Sequence, residues 1–388
     1  MIECDSTNPD QPDAGGENAE RKLGRLPSLD GWRAVSISMV LLAHSPWMPG
    51  FPQEWEKPFE RIFDGNLGVR FFFLISGFLI TWLMFKEQRE CGAVNLRLFY
   101  VRRALRIVPV CFVYLLVIFL LSFVTPFKQD GGIWLANISF TTNFLLDRNW
   151  HGVPTPSIHL WSLAIEEQFY LIWPPIFCAI GVLQKWRFWI QLVFVSLLIA
   201  PMARVVSVYE LYSRDWGWLF SPASFLNYFD SIAYGCVCAF LMATQQPNVR
   251  KLLRDYRGAV FLLCLAAVLT PHVLRHYKSF KMFVIAFGPT VQAIGFAGLL
   301  IQSVIIPEWG LYRALNWPLV CFTGTLSFSI YIWQQLFCSR PETFGLSNNS
   351  IWMSFPFGWL FAGVVALLSY YWVERPFMSL RAKVRPLD

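Results

Sequence analysis

Apolar residues fall along this chain in long blocks divided by short polar connections, and ten blocks are long enough to predict membrane-spanning helices. They lie at about 29–47, 67–86, 108–127, 159–183, 187–206, 229–244, 258–274, 283–306, 316–338 and 351–373, where roughly 20 apolar residues suffice for a helix to cross the hydrocarbon of a bilayer. The segment 131–146 (GGIWLANISFTTNFLL) is apolar but short, and Asn137, Thr141, Thr142 and Asn143 interrupt it, which predicts a re-entrant or interfacial piece. The pattern as a whole predicts an all-α integral membrane protein, a bundle of about ten transmembrane helices with one short re-entrant or interfacial segment. Three regions follow: a disordered cytoplasmic tail at 1–28, a multi-span domain at 29–376 and a cytoplasmic C-terminal tail at 377–388. The first tail has no apolar core before residue 31, so it is not itself a cleaved secretory signal.

Composition agrees with a bilayer as solvent. The 388 residues are 55% hydrophobic, 17% aromatic and 15% charged, with a mean hydropathy of +0.45, which is too apolar for a water-soluble domain. A net charge of +7 raises the question of nucleic acid, but the basic residues sit in short clusters between apolar blocks, as charges that orient helices do. No nucleic-acid partner is expected. Of the 32 Lys and Arg residues, twenty fall in regions that are cytoplasmic if the N-terminus is inside, ten fall outside, and Arg33 and Arg70 lie at or within spans. This bias predicts a multi-pass protein of the plasma (inner) membrane with both termini in the cytoplasm, against which the outer cluster RHYKSFK at 275–281 stands as a contrary feature. The nine cysteines show no CxxC spacing and predict neither a metal site nor a disulfide framework.

Against this apolar background a few titratable residues stand out, because polar groups at membrane depth are costly to keep and mark function by default. Arg33 and His44 are eleven residues apart in the first block, which returns them to within about 20° of one helical face, separated by about 16 Å of rise. A signal anchor with Arg33 as its flanking charge is the plainer alternative. Arg103 and Arg106 in RRALRIVP share a face by their three-residue spacing and suit a phosphate-bearing ligand, since guanidinium binds phosphate in bidentate fashion; positive-inside charge is the other explanation. In HLWSLAIEEQFYLIWP, His159 and Glu166 are two helical turns apart, and Glu166 and Glu167 need a cation or a wet cavity, a structural ion pair with Arg33 or Arg70 included. Asp230 is a third buried acid. Ser76 beside Gly77 could be a nucleophile, although small residues in such helices more often permit close packing and no GxSxG elbow is present. No dinucleotide, Walker or metal-ligand motif occurs, so no tightly bound cofactor and no metal are expected.

Six motifs, LDGWRAVSI with the Arg33–His44 spacing, GVRFFFLISGFLIT, RRALRIVP, HLWSLAIEEQFYLIWP, SFSIYIWQ and VERPF, resemble in order those of the membrane acyltransferase-3 family over about residues 26–380. That resemblance implies an O-acetylase of bacterial polysaccharides or related acceptors, which takes an acyl group, commonly acetyl from acetyl-CoA as co-substrate on the cytoplasmic side, and delivers it to a hydroxyl of a carbohydrate or glycolipid. It further implies His44, Glu166 and Glu167 as catalytic residues and Arg33, Arg103 and Arg106 as binders of acyl-CoA. Ser76, His159, Tyr331 and Gln334 are the candidate substrate-binding residues. Arg70 stands where many members have Asp and Gln334 where many have His, departures that bear on acceptor choice. The chain ends fourteen residues after Glu374 without a hydrolase-like domain, so the chemistry is expected inside the bundle. A multi-span transporter or lipid-linked sugar flippase is the alternative, which would be expected to show repeat symmetry between halves.

Overall fold

The computed structural model describes residues 26–145, 155–181, 185–209, 221, 223–347 and 350–383. Most of the 1–28 tail, the last residues of the C-terminal tail and the loop cations Arg148 and Arg214 lie outside the described residues. The described chain is helical, in the order α1 (Leu29–His44), α2 (Gln53–Ile62), α3 (Gly65–Cys91), α4 (Leu96–Val124), α5 (Gly131–Ile138), α6 (Thr142–Leu145), α7 (Leu160–Ile180), α8 (Trp186–Val208), α9 (Phe225–Ala243), α10 (Pro247–Asp255), α11 (Arg257–Leu274), α12 (Lys281–Ile305), α13 (Leu311–Leu315), α14 (Pro318–Phe337), α15 (Phe357–Ser369) and α16 (Arg375–Lys383). Helices occupy every predicted span. Seven helical stretches among the described residues are long and apolar enough to cross a membrane, those containing α3, α4, α8, α9, α11, α12 and α15–α16, which makes this a multi-pass membrane protein. The other three predicted spans are occupied by α1, α7 and α14, of which α1 is only 16 residues long. It stops at His44 and tightens into a 3₁₀ turn over Ser45–Trp47, because Pro46 has no N–H to continue the ladder.

The bundle is organised around α3. Phe71, Phe73, Leu74, Ile75, Phe78 and Ile80 are each at most 2% exposed, so the middle of this helix is buried on most of its circumference. Its closest neighbour is α9, and the approach needs glycine: a Cβ on Gly77 would overlap the Ile232 carbonyl oxygen, and one on Gly235 would overlap that of Leu74. Gly77 is thus a packing residue, as small residues in membrane helices commonly are. α1 packs on the opposite flank of α3 and against α14. By contrast α4, α8 and α11 turn large apolar side chains outward, Phe112, Leu120, Leu198 and Leu263 among them, as a lipid-facing surface does.

The interrupted segment after α4 forms two short helices, α5 and α6, with Phe140 in the left-handed region (φ 54°) between them. The polar residues that broke its hydrophobic pattern are its internal fastening. Asn137 Nδ2 donates to Ser157 Oγ at 2.9 Å, Thr142 Oγ1 donates to Asn137 Oδ1 at 2.9 Å, and Asn143 exchanges amide bonds with Gln168 of α7.

One charge lies elsewhere than the hydrophobic pattern predicts. Arg204, near the end of the 187–206 block, is one of the ten cations counted as outer, but α8 runs on to Val208 and holds Arg204 at 5% exposure inside the bundle. It is ion-paired with Asp230 of α9 and donates to Thr290 Oγ1 at 2.8 Å and to the carbonyls of Ala286 and Asn227. Arg70 of α3 joins at 3.9 Å from Asp230 and sits over the Tyr228 ring. A charge so deep is retained because nearly every hydrogen-bonding group around it is used.

Candidate functional site

Five helices meet around a cavity whose walls alternate between aromatic and ionic. Arg33 comes from α1, Phe72, Phe73 and Ser76 from α3, Arg103 and Arg106 from α4, Ser162, Glu166 and Tyr170 from α7, and Ser327 and Tyr331 from α14. Periodicity explains the convergence. Arg103 and Arg106 are one helical turn apart, as are Phe73 and Ser76, and Ser162, Glu166 and Tyr170 follow each other at four-residue steps along one stripe of α7.

Glu166 is the hub. Its Oε1 accepts from Ser76 Oγ at 2.5 Å and also from the Tyr170 hydroxyl. The Arg103 guanidinium lies over the Tyr170 ring, 5.0 Å from its centroid. Arg33 has a carboxylate of its own, Asp30, at 3.6 Å across one turn of α1. Near the same end, Glu374 is buried in a turn of π-helix between α15 and α16, where it accepts from Ser329 Oγ at 2.8 Å and lies within electrostatic reach of Arg33 and Arg106. The cavity is therefore richer in cations than in anions, and Glu166, the one lining carboxylate among the described residues, already carries two hydrogen bonds.

Four of the expected site residues stand off the cavity wall. Glu167 follows Glu166 by 100° of helical rotation, so it turns aside, and its Oε1 is buried without a hydrogen-bond partner among the described residues. His44 ends α1, beside Gly65 of α3, with its ring edge-on to Trp47 at 5.0 Å. Its Nδ1 is 2.7 Å from the Val40 carbonyl. A carbonyl only accepts, so Nδ1 carries the proton and Nε2 keeps its lone pair in the neutral ring. His159, at the start of α7, is held by Nε2 donating to the Ile332 carbonyl at 3.1 Å, with the rings of Tyr114 and Tyr331 at 5.4 and 5.5 Å. Gln334 is fully buried one turn beyond Tyr331 and bonds Gln335 at 3.4 Å.

The cavity and the histidines are nonetheless linked. Tyr331, on the cavity wall, bonds Ser162 and donates to the His159 carbonyl at 2.9 Å, and His159 lies within electrostatic reach of His44. Hydrogen bonds thus run from Ser162 on the cavity wall through Tyr331 to the backbone of His159. Ser162, Ser327, Asp30 and Glu374 were not marked by the sequence as site residues; each lies inside one of the six motifs, which is the signal that could have found it. Among the described residues no three His, Cys, Asp or Glu side chains come together as a ligand set for a metal.

A helical membrane bundle with an internal cationic cavity is the class that fold and site define. Within it, a family model described as an acyltransferase domain matches residues 26–375, and the chain belongs to that acyltransferase-3 family. Among curated proteins it is similar to the peptidoglycan O-acetyltransferase OatA of Listeria monocytogenes, 25% identical over 90% of this chain and 55% of the relative. Bacillus subtilis YrhL, provisionally named a peptidoglycan O-acetyltransferase, is 26% identical over 90% of this chain and 54% of its own length. A Staphylococcus aureus (strain COL) protein provisionally named an O-acetyltransferase is 25% identical over 92% and 58%. The chain spans a little over half the length of these relatives. No solved structure matches.

Proposed function

We propose that this protein is an integral membrane O-acyltransferase that moves an acetyl group from cytoplasmic acetyl-CoA to a hydroxyl of a carbohydrate or glycoconjugate. The convergence of Arg33, Arg103 and Arg106 on one cavity beside Glu166 is the observation that carries this reading. An anionic donor needs such a wall, whereas positive-inside charge alone needs no shared cavity. The names of OatA and YrhL make peptidoglycan the first acceptor to test. No observation favours the transporter or flippase alternative. In this reading all ten long helices cross the plasma membrane and both termini are cytoplasmic, so that the arginines open to the donor side.

The nucleotide, too charged for hydrocarbon, stays at the arginine end, and the neutral pantetheine arm threads inward past Ser76 and Tyr331. His44 acts as general base from the far end of α1, about 16 Å of helical rise from Arg33. Its Nε2 takes the proton of the acceptor hydroxyl while that oxygen bonds to the thioester carbonyl carbon. The C–S bond then breaks, coenzyme A leaves as the thiolate, and the imidazolium returns the proton to sulfur. Glu166 offsets cationic charge in the cavity and holds Ser76 and Tyr170 in place, and Glu167 adds a second acid behind it. Ser76 and Tyr331 line the acceptor's approach, with His159 and Gln334 buried behind Tyr331.

Purified protein in lipid nanodiscs, supplied with acetyl-CoA and soluble peptidoglycan fragments, tests this. Release of free coenzyme A together with acetylated fragment is expected. Neither thioester loss nor acetyl transfer, under conditions where the protein is folded, would refute it.

A further inference from the structure

A second cleft adjoins the cavity and shares one wall with it. It opens between the end of α3, the start of α4 and α16, and Lys86, Arg102, Arg103 and Arg381 line it with Glu87, Glu90 and Phe99. Two of these cations are already matched: Arg102 lies 3.5 Å from Glu87, and Lys86 lies 3.7 Å from Glu90. Arg103 and Arg381 have no carboxylate within 4 Å among the described residues. Docking of α16 on α4 brings Arg381 within electrostatic reach of Arg33, Arg102, Arg103 and Arg106, all of the same sign. Gathering like charges in this way is costly in a partly desolvated site unless an anion joins them.

Arg103 lines both spaces, so one elongated ligand can place an anionic head in the cleft and a thin uncharged arm in the cavity. We infer that the cleft between α3, α4 and α16, through Arg381 and Arg103 with Arg102 and Lys86 beside them, seats the phosphorylated nucleotide end of the donor, while Arg33 and Arg106 face the remainder of the molecule in the cavity. This rests on the proposed acyl-CoA chemistry. It adds a recognition site in the last described helix and assigns the ribose phosphate to it.

The test compares two donors, acetyl-CoA and acetyl-pantetheine, which lacks the nucleotide. The wild-type protein favours acetyl-CoA in kcat/KM. Arg381→Ala lowers that preference by about 10- to 100-fold, the size of one or two contacts to a charged group, and Arg381→Lys restores part of it. Lys86→Ala, on a different helix, moves the ratio the same way and guards against a folding defect in α16. An unchanged ratio in both alanine variants overturns the inference while leaving the acyltransferase reading standing; a wild type inert with both donors removes that reading instead. A turnover-independent arm measures binding of 3′,5′-ADP in phosphatidylcholine nanodiscs, expected for wild type and weakened at least tenfold by Arg381→Ala. Absence of wild-type binding, or its loss when phosphatidylglycerol replaces part of the lipid, overturns the nucleotide assignment, the second result making the cleft a seat for lipid phosphate.

Discussion

Glu166→Gln is the most informative single exchange in the cavity, since it keeps the shape and one acceptor oxygen but removes the charge. Two hydroxyls, Ser76 Oγ and Tyr170 OH, donate to the same carboxylate oxygen. A hydrogen bond to a charged group contributes about 1.5–3 kcal/mol and a neutral one about 0.5–1.5 kcal/mol, so the exchange loses about 1 kcal/mol per bond and about 2 kcal/mol in total. Attraction to Arg33 and Arg103 is lost as well. Equilibrium unfolding in mixed micelles of the wild type, Glu166→Gln, Ser76→Ala and the double variant measures this. A coupling of about 1 kcal/mol between the two sites is expected. KM for acetyl-CoA rises more than kcat falls, because Tyr170, and with it Arg103 over its ring, is held less firmly. Additivity within about 0.3–0.5 kcal/mol, with KM unchanged, would refute the role given to Glu166 as hub.

Three further outcomes follow from the same geometry. Arg103→Ala or Arg106→Ala raises KM for acetyl-CoA more than it lowers kcat, by about 10- to 100-fold for contacts of about 1.5–3 kcal/mol, and Lys rescues only part because it lacks the guanidinium fork; steady-state kinetics with normal membrane insertion check this. Asp230→Asn leaves Arg204 buried beside a neutral partner and costs about 3–5 kcal/mol in the same micelle unfolding assay, whereas replacing both by apolar residues of similar volume costs less. In a background freed of native cysteines, a single cysteine at exposed Glu56 reacts with a membrane-impermeant thiol reagent in intact cells, while one at exposed Asn248 is protected; the reverse pattern would invert the proposed orientation.

The helices were legible because a bilayer demands long apolar blocks, and the pattern of 3.6 residues per turn already put Arg103 and Arg106 on one side of α4. Rotation about a helix axis was less legible. The pair Glu166 and Glu167 reads as one acidic motif, and only the packing of α7 on α3 decides that Glu166 meets Ser76 while Glu167 turns aside. The stop of α1 was readable in Pro46 yet masked by the apolar residues on either side of it. Arg204 shows what sequence order hides. Its partners Asp230 and Thr290 come from two other helices, so an arginine near the end of an apolar block reads as a loop charge until α8, α9 and α12 are assembled. The same holds for Glu374 and Ser329, 45 residues apart.

The chemistry itself turns on His44, whose Nδ1 is engaged by the Val40 carbonyl and whose Nε2 is therefore the nitrogen able to take a proton. The most direct measurement is acetyl transfer by His44→Ala beside acetyl-CoA binding by the same protein. Transfer falls by about 10²–10⁴-fold, the usual weight of general-base assistance, while acetyl-CoA affinity and insertion stay near wild type and His159→Ala loses less. A His44→Ala protein that still acetylates its acceptor within a few-fold of wild type would contradict the mechanism.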